Sequence, residues 1–491
     1  MRAKLQLLAS DAAIYGLTTL LTRSMSFLLT PLYTHYLSSR ADFGIYSYLY
    51  SLLAFINVVY SFGLDTAFLR FFDKDNNNKT IKAFSFSWIG IASISILSTS
   101  ICIFYADYFT SLIPELQGNA DIIRAIALIP LFDALTVIPY SILRMQRKAK
   151  RFAILRVINV AINLILNIIL VGSFHMGIWG IVVSGVISSI LAALFIFPEI
   201  IQFTRPTIDI ELGAEMLSFG LPTVPSAFSG MMLQVADRPI MTAMAGADMT
   251  GLYQANYRLG IPMMMLVSVF EFAYKPFYLT HYKDEGAETL FARIFTYFTV
   301  LCAGLFLCIS FFIGDIVQLK IGSATIINAS YWSGIGIIPI ILAGYFFNGA
   351  ATNFAAGLHI HKKTGWLPIA TGIAAIVNIT LNILLIPMWG MYGAAWATFA
   401  AYAISAGILF AVSTSIMPIS YEWKRILLTI LITIVLFFTV HYTHTTLIVR
   451  VCVLLLYPLL LILTGALNAD EKRLFTRLMK RSKKLEPKNS H

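Results

Sequence analysis

Residues 152–180 read FAILRVINVAINLILNIILVGSFHMGIWG, and Arg156 is the only Lys, Arg, Asp or Glu among them. The run that ends at Gly172 has about the 20 mainly apolar residues that a helix needs to cross the hydrocarbon core of a bilayer. Asn163 and Asn167 lie one helical turn apart within it, and Gly177 and Gly180 follow it. The stretch predicts a membrane-spanning helix, a short turn and the start of a second span.

The composition of the whole chain indicates the same environment. Of 491 residues, 58% are apolar and only 12% are charged, whereas a soluble protein carries about 25% charged residues. The mean hydropathy is +0.79. These values exclude an ordinary soluble enzyme, a disordered chain and a secreted disulfide scaffold, and they indicate a polytopic membrane protein. No cleavable signal precedes the first apolar run, so we expect the amino terminus to stay attached.

Fourteen apolar runs of helical length follow one another along the chain. They cover residues 11–36, 43–71, 83–105, 121–143, 152–172, 178–200, 215–240, 250–274, 291–316, 331–358, 364–386, 391–415, 424–442 and 446–467. The short alternating segments of an outer-membrane barrel are absent from this pattern. We therefore predict an all-α integral membrane protein with about 14 transmembrane helices.

The basic residues indicate how these helices are oriented. Every second break and both ends of the chain together carry 27 of the 35 Lys and Arg residues. Basic segments stay on the cytoplasmic side of a membrane. We therefore predict that both termini are cytoplasmic, and we interpret the net charge of +11 as a topology signal, since no nucleic-acid-binding motif accompanies it.

Two groups of residues recur in the second half of the chain. Asn163, Asn167 and Gly177 recur as Asn378, Asn382 and Gly390 at offsets of 215 and 213, and Pro31 and Gly44 recur as Pro239 and Gly251 at offsets of 208 and 207. Such residues also serve as general helix-packing devices in lipid, but their ordered recurrence favours a duplicated six-helix unit.

The repeat divides the chain into four parts. We predict an amino-terminal six-helix lobe at 1–205, a carboxyl-terminal six-helix lobe at 206–420, two additional transmembrane helices at 421–467 and a basic amphipathic cytoplasmic tail at 468–491.

Four further segments are informative: Phe27-Leu-Leu-Thr-Pro-Leu-Tyr-Thr-His-Tyr-Leu37 with Asp42-Phe-Gly-Ile-Tyr46, Gly63-Leu-Asp-Thr-Ala-Phe-Leu-Arg-Phe-Phe72, Asp237-Arg238 with Gly251-Leu-Tyr253 and Tyr257-Arg-Leu259, and Asn378 through Trp396. In these segments the chain resembles the polysaccharide transport family, the Wzx-like O-antigen and lipid-linked oligosaccharide flippases of the multidrug/oligosaccharidyl-lipid/polysaccharide (MOP) exporter superfamily. The resemblance covers about residues 10–415. It implies two six-helix lobes around a central cavity that opens alternately to the two membrane faces.

Several ionisable residues lie inside the predicted spans, where each is costly unless it faces protein or a water-filled cavity. Five cations form a candidate binding site for a diphosphate: Arg23, Arg258, Arg238, Lys275 and Arg70. Arginine suits this role because its planar guanidinium binds phosphate oxygens in pairs and stays charged at low dielectric. Pairing with carboxylates would also explain these cations, as would snorkelling for Arg70, Arg238 and Lys275 near the predicted span ends.

Four carboxylates are candidates for coupling transport to an H+ or Na+ gradient: Asp133, Asp65, Asp237 and Glu271. Asp133 is the deepest of them, and a neutral, hydrogen-bonded aspartic acid is the alternative there. We expect no cofactor. His359 and His361 supply too few ligands for a metal site, and stop-transfer charge explains their loop better.

The sequence favours a transporter over an enzyme, because it has no Walker A motif and no loop large enough for a catalytic domain. The resemblance implies a flippase that moves undecaprenyl-diphosphate-linked oligosaccharide across a bacterial inner membrane for surface polysaccharide synthesis. A polysaccharide polymerase and a chain-length regulator are further candidate partners, besides membrane lipids. The alternatives are a membrane-embedded polymerase or glycosyltransferase, a lipid II flippase and a multidrug exporter.

Overall fold

The computed structural model describes residues 24–111, 119–206, 209–322, 324–443 and 446–465, together with 16, 18, 20–22 and 116. These residues are almost entirely helical, and their only strand pairing is the antiparallel contact of Lys320–Ile321 with Ala324–Thr325. The predicted all-α class is confirmed. Arg23 and the predicted tail at 468–491 lie outside the described residues.

From Thr30 onward, the described part of the first lobe contains ten α-helices. They are α1 Thr30–Tyr36, α2 Arg40–Ser61, α3 Leu64–Phe71, α4 Asn77–Phe104, α5 Ala106–Ser111, α6 Ala120–Ile126, α7 Leu128–Met145, α8 Ala149–Asn167, α9 Gly177–Phe195 and α10 Phe197–Phe203. A π-helical turn at Ile168–Ser173 extends α8.

The second lobe comprises α11 to α18, and two more helices follow it. The eight are α11 Ile210–Gly220, α12 Val224–Val235, α13 Asp237–Leu259, α14 Ile261–His281, α15 Ala287–Gln318, α16 Ile338–Ile360, α17 Trp366–Trp389 and α18 Met391–Ile416. The additional helices are α19 Trp423–Thr443 and α20 Leu447–Leu463. Short 3-10 segments at Leu221–Thr223 and Ala329–Ile337 precede α12 and α16.

The helices have the length and composition of membrane spans. In the described part of the chain, eleven helical stretches are long and apolar enough to cross a membrane, and α20 is a shorter apolar helix. The two additional helices pack on α15, where the Tyr457 hydroxyl donates to the carbonyl oxygen of Val300 at 2.9 Å.

The seventh and eighth spans end at residues other than those predicted. Gly246, with φ +83°, interrupts α13, and three contacts across it join residues 8 or 16 positions apart: Thr242 with Thr250, Arg238 with Gln254, and Asp237 with Tyr253. The chain therefore reverses at Gly246, because glycine adopts this backbone conformation without a side-chain clash. The predicted break at 241–249 was too long. Asp237 and Arg238 therefore lie more than two turns before the reversal and do not end the seventh span. Lys275 does not end the eighth span either, because α14 continues to His281.

The repeat is visible in hydrogen-bond geometry. The Asn167 Nδ2 donates to the carbonyl and side-chain oxygens of Asn163 at 2.8 and 3.0 Å. The Asn382 Nδ2 donates to the same two oxygens of Asn378 at 2.8 and 3.1 Å. The sequence match between the halves thus reflects the same local structure in both lobes.

The two ends of the molecule carry different connections. We call the end that carries the segments 72–76, 146–148, 204–209, 282–286, 361–365 and 417–422 the basic face, and the other end the opposite face. At the opposite face, the Arg40 guanidinium of α2 pairs with the Asp248 carboxylate of α13 at 2.7 Å. At the basic face, the Lys82 ammonium of α4 pairs at 3.0 Å with Asp209, the residue that caps α11.

Asp209 lies just before α11, outside the spanning helices. Its carboxylate accepts a hydrogen bond from the backbone N–H of Leu212 at 3.1 Å. This bond, followed by the contact with Lys82, lowers the pKa of the Asp209 carboxyl below its ordinary value because both stabilise the ionised form.

Candidate substrate cavity

A cavity of about 690 Å³ lies among the helices of the second lobe. Residues of α12, α13, α14, α16, α17 and α18 line it, and Ser26 contributes from the first span. Its volume falls within the range of about 300–1,000 Å³ that is usual for small-molecule sites. Its lining residues with a formal charge are Arg238, Arg258, Glu271 and Lys275. The lining is therefore cationic overall.

Arg258 is buried and held by groups of the first lobe. Its Nη2 donates to the Tyr46 hydroxyl at 3.2 Å and its Nη1 to the Ser26 carbonyl at 3.4 Å. The guanidinium also lies 5.0 Å from the Phe43 ring centre and 5.3 Å from that of Tyr46. Aromatic faces attract a cation without neutralising its charge. Arg258 forms no ion pair in the described part of the chain, and its Nε has no hydrogen-bond partner.

Arg238 lies against the same cavity and is fixed by its own lobe. Its Nε donates to the Gln254 side-chain oxygen at 2.7 Å, and its Nη1 donates to the Gln234 carbonyl at 2.9 Å. The guanidinium lies 5.1 Å from the Tyr257 ring centre. These contacts leave the Arg238 side chain in one orientation at the cavity wall.

Asp237 lies next to Arg238 but outside the cavity lining. Its carboxylate accepts a hydrogen bond from the Tyr253 hydroxyl at 2.7 Å and one from the Arg238 backbone N–H at 3.0 Å. Its nearest contact with the Arg238 guanidinium is 3.8 Å. Asp237 is 3% exposed, so its hydrogen bonds tie the two arms of the α13 hairpin together.

Glu271 and Lys275 lie one turn apart on α14, and both are exposed within the cavity. Farther along α14, the Tyr278 hydroxyl lies 3.0 Å from Nδ1 of His359 on α16. Tyr278 and His359 also line the cavity. Two turns of α14 therefore supply a carboxylate, a cation and a hydroxyl to this wall, and α16 adds the imidazole of His359.

Four of the nine candidate residues thus come together in one cavity, four others do not, and Arg23 lies outside the described residues. Arg70 is exposed at the end of α3. Asp65 lines two other cavities, and Asp133 lies in the first lobe with its carboxyl bonded to Ser189. The roles proposed for all of these residues remain predictions.

Sequence reasoning did not identify two features of the first lobe: the aromatic residues that contact Arg258, and the intramembrane arginine Arg156. Phe43 and Tyr46 lie in the motif that carries the family resemblance, but nothing in that motif indicated contact with Arg258. Arg156 lies within the predicted span at 152–172 but was not among the candidate site residues; α8 begins at Ala149 and places Arg156 about two turns inside the helix. The position of Arg156 inside an apolar run of helical length was the feature that could have identified it as an intramembrane arginine.

Comparison with known proteins agrees with this architecture. The model of the family described as "Polysaccharide biosynthesis protein" matches residues 8–277, more than half of the chain. The chain belongs to the polysaccharide biosynthesis protein family. A further relative is the uncharacterized membrane protein MJ1068 of Methanocaldococcus jannaschii, which is 22% identical over 422 residues, 79% of this chain and 80% of that protein.

Solved structures of transporters share the fold of this family member. The lipid II flippase MurJ in an inward closed conformation has a TM-score of 0.74 at 18% identity, covering 91% of this chain and 98% of its own. An inward-facing multidrug resistance MATE transporter of the MOP superfamily has a TM-score of 0.63 at 14% identity, covering 81% and 94%. The chain therefore shares the fold of these MOP-superfamily and MurJ structures, as the sequence resemblance predicts, and its apolar helices indicate a multi-pass membrane protein.

Proposed function

We propose that this family member is a flippase for polyprenyl-diphosphate-linked oligosaccharide, and that it moves this cargo from the cytoplasmic to the outer leaflet of a bacterial inner membrane. We further propose that the basic face is the cytoplasmic one and that both termini lie there. The diphosphate would bind in the cavity of the second lobe. A hydrated cavity would lower the barrier that hydrocarbon raises against phosphate and sugar groups.

The observation that carries this proposal is that Arg258 is buried at the cavity wall and has no carboxylate partner in the described part of the chain. A buried arginine without a carboxylate partner is costly unless another group supplies the negative charge. Arg238 and Lys275 line the same cavity, and Glu271 is the only carboxylate among the described residues that line it. Guanidinium groups bind phosphate oxygens in pairs. Tyrosine rings and amide side chains around them suit the stacking and hydrogen bonding of sugars.

The contacts between the lobes support alternating access. At the opposite face α2 and α13 pack closely, with Arg40 and Asp248 paired across them. The release of cargo on that side would require these helices to separate. An H+ or Na+ gradient is the proposed driving force, with Asp133, Asp65, Asp237 and Glu271 as the candidate coupling groups.

The charge of the cavity lining also distinguishes between the alternative transport functions. An exporter of cationic drugs would need a predominantly acidic cavity, whereas the lining here is cationic overall. Lipid II also carries a polyprenyl diphosphate, so a lipid II flippase is the second candidate, favoured by the fold likeness to MurJ. A polymerase and a chain-length regulator are proposed partners that would act on the flipped product.

Deletion of the gene tests the proposal and identifies the cargo. The mass and leaflet of polyprenyl-linked saccharides would be measured in the deletion strain, with and without the wild-type chain. The proposal predicts complete repeat units trapped on the cytoplasmic leaflet and cleared by the wild-type chain but not by Arg258→Gln. Units that reach the outer leaflet unpolymerised would indicate a polymerase, and unchanged lipid-linked saccharides would contradict flipping.

A further inference from the structure

A second polar cavity, of about 300 Å³, lies in the first lobe. Its lining includes Asp65, Tyr140, Ser141, Arg144 and Arg156, and it shares no lining residue with the cavity of the second lobe. Two arginines and one aspartate carry the formal charges of this lining, and Asp133 lies near Arg156 outside it.

Arg156 is placed to receive an acid group. Its guanidinium lies 4.0 Å from the centre of the Tyr140 ring and 5.8 Å from that of Phe152. It forms no ion pair in the described part of the chain, whereas Arg151, five residues earlier, is paired with the buried carboxylate of Glu199. Asp133 attracts Arg156 electrostatically from α7, but the two side chains form no ion pair in the described part of the chain. The guanidinium donors of Arg156 are thus available to a ligand.

The Tyr140 hydroxyl is a second, independent indication. Tyr140 is 3% exposed, and its hydroxyl has no hydrogen-bond partner among the residues that the structure describes. An unpartnered buried hydroxyl costs about 1–3 kcal/mol. A bound acid oxygen would accept from this hydroxyl and from Arg156 together, so the same ligand satisfies both groups.

We propose that this cavity is an anion site that binds one carboxylate or phosphate group. Two sources supply that chemistry. The first is an acidic sugar of the cargo, and this source rests on the proposed flippase function. The second is the headgroup of an anionic lipid, and this source does not depend on the function.

The test measures the thermal unfolding of the purified full chain with two probes. In detergent, sodium glucuronate is compared with glucose plus NaCl at equal ionic strength. In nanodiscs, phosphatidylglycerol is compared with phosphatidylcholine. At a probe concentration about ten times the Kd, mass action predicts a rise in unfolding temperature of about 2 °C with glucuronate, phosphatidylglycerol or both.

Two variants locate the binding. Arg156→Gln should abolish the shift. Tyr140→Phe should weaken binding about tenfold while unfolding, without ligand, at or above the wild-type temperature, because it removes an unpartnered hydroxyl. Arg293→Gln removes an exposed arginine of α15 that lines neither cavity, and it should keep the wild-type shift.

The outcomes separate this site from the proposed function. A shift with glucuronate identifies a sugar acid as the ligand, and a shift with phosphatidylglycerol alone identifies a lipid. No shift with either probe overturns the site, as does a shift that survives in both Arg156→Gln and Tyr140→Phe. A shift lost in Arg258→Gln but kept in Arg156→Gln would assign the anion to the second-lobe cavity and also overturn it. A wild-type chain that shows the shift but does not flip lipid-linked oligosaccharide would refute the flippase function alone.

Discussion

Gly44 and Gly251 contact each other backbone to backbone where α2 crosses α13, and they occupy equivalent positions in the two halves of the repeat. A Cβ at Gly44 would overlap the carbonyl oxygen of Ala247, and one at Gly251 would overlap that of Arg40. The two lobes therefore meet at a point where a side chain of any size would force the helices apart.

Alanine at either glycine should keep the opposite face from closing. We expect Gly44→Ala and Gly251→Ala to insert normally but to lose at least about tenfold in flipping, because backbone cannot yield as a flexible side chain does. Gly407→Ala on α18 is the control, since a Cβ there meets nothing within 4 Å. Wild-type flipping by both variants would show that this crossing is not needed for transport.

Substitution of Arg258 and of Arg70 should affect flipping differently, although both residues lie within predicted membrane spans. Arg258→Gln should reduce flipping at least about a hundredfold, because it removes a buried charge from the cavity wall. Arg70→Gln should stay within about twofold of the wild type, because Arg70 is exposed at the end of α3. Expression and flipping would be measured side by side. An equal loss in both variants would contradict the placement of the site.

A cross-link between positions 40 and 248 should arrest the cycle. Arg40 and Asp248 are paired across the lobes at 2.7 Å, so we expect a short, reducible bis-methanethiosulfonate reagent to link Arg40→Cys to Asp248→Cys. The background would carry serine at Cys102, Cys302, Cys308 and Cys452. The cross-linker should abolish flipping and reduction should restore it, whereas flipping by each single cysteine variant should respond to neither treatment. Continued flipping by the linked chain would show that these helices need not separate.

The Tyr253 hydroxyl should contribute to stability through Asp237. Tyr253→Phe leaves a buried carboxylate with one donor fewer, which we expect to cost about 1–3 kcal/mol and to lower the unfolding temperature. Tyr140→Phe is the matched control, because the buried Tyr140 hydroxyl has no hydrogen-bond partner in the described part of the chain. Equal unfolding temperatures for the two variants would argue against the role of this bond in holding the hairpin.

The contribution of Asp209 should depend on pH. Because folding lowers the pKa of the Asp209 carboxyl, its stabilising effect is present above the ordinary Asp pKa of about 4 and is lost as the pH falls through the folded value. Asp209→Ala should therefore unfold below the wild-type temperature at pH 7, and the difference should shrink below about pH 4. A difference that does not change with pH would mean that packing, rather than charge, explains the effect of the variant.

The class of fold and the repeat could be predicted from the sequence because both depend on local pattern. Apolar runs of helical length identify spans, and the asparagine pairs have the same hydrogen bonds in both lobes. The hairpin of α13 could not be predicted in this way. The predicted break covers residues 241–249, whereas the chain needs only Gly246 to reverse. The predicted end of span seven at 240 and the predicted start of span eight at 250 were displaced for that reason.

The sequence predicted the charged residues of the site but not their contacts. Buried charge is costly in a membrane, so composition pointed to Arg238, Arg258, Glu271 and Lys275, which line one cavity. It could not separate them from Arg70, because exposure depends on how α3 packs. The pairing of Arg258 with Tyr46 joins residues 212 positions apart, and no local pattern encodes that contact.

Flipping by the purified chain in liposomes tests the central claim most directly. Polyprenyl-diphosphate-linked oligosaccharide would be incorporated into both leaflets, and a membrane-impermeant glycosidase would report the fraction that becomes accessible over time. The account predicts that the wild-type chain exposes nearly all of the substrate and that Arg258→Gln exposes only the outer half, as protein-free liposomes do. Equal exposure with wild-type chain, Arg258→Gln and protein-free liposomes would contradict the account.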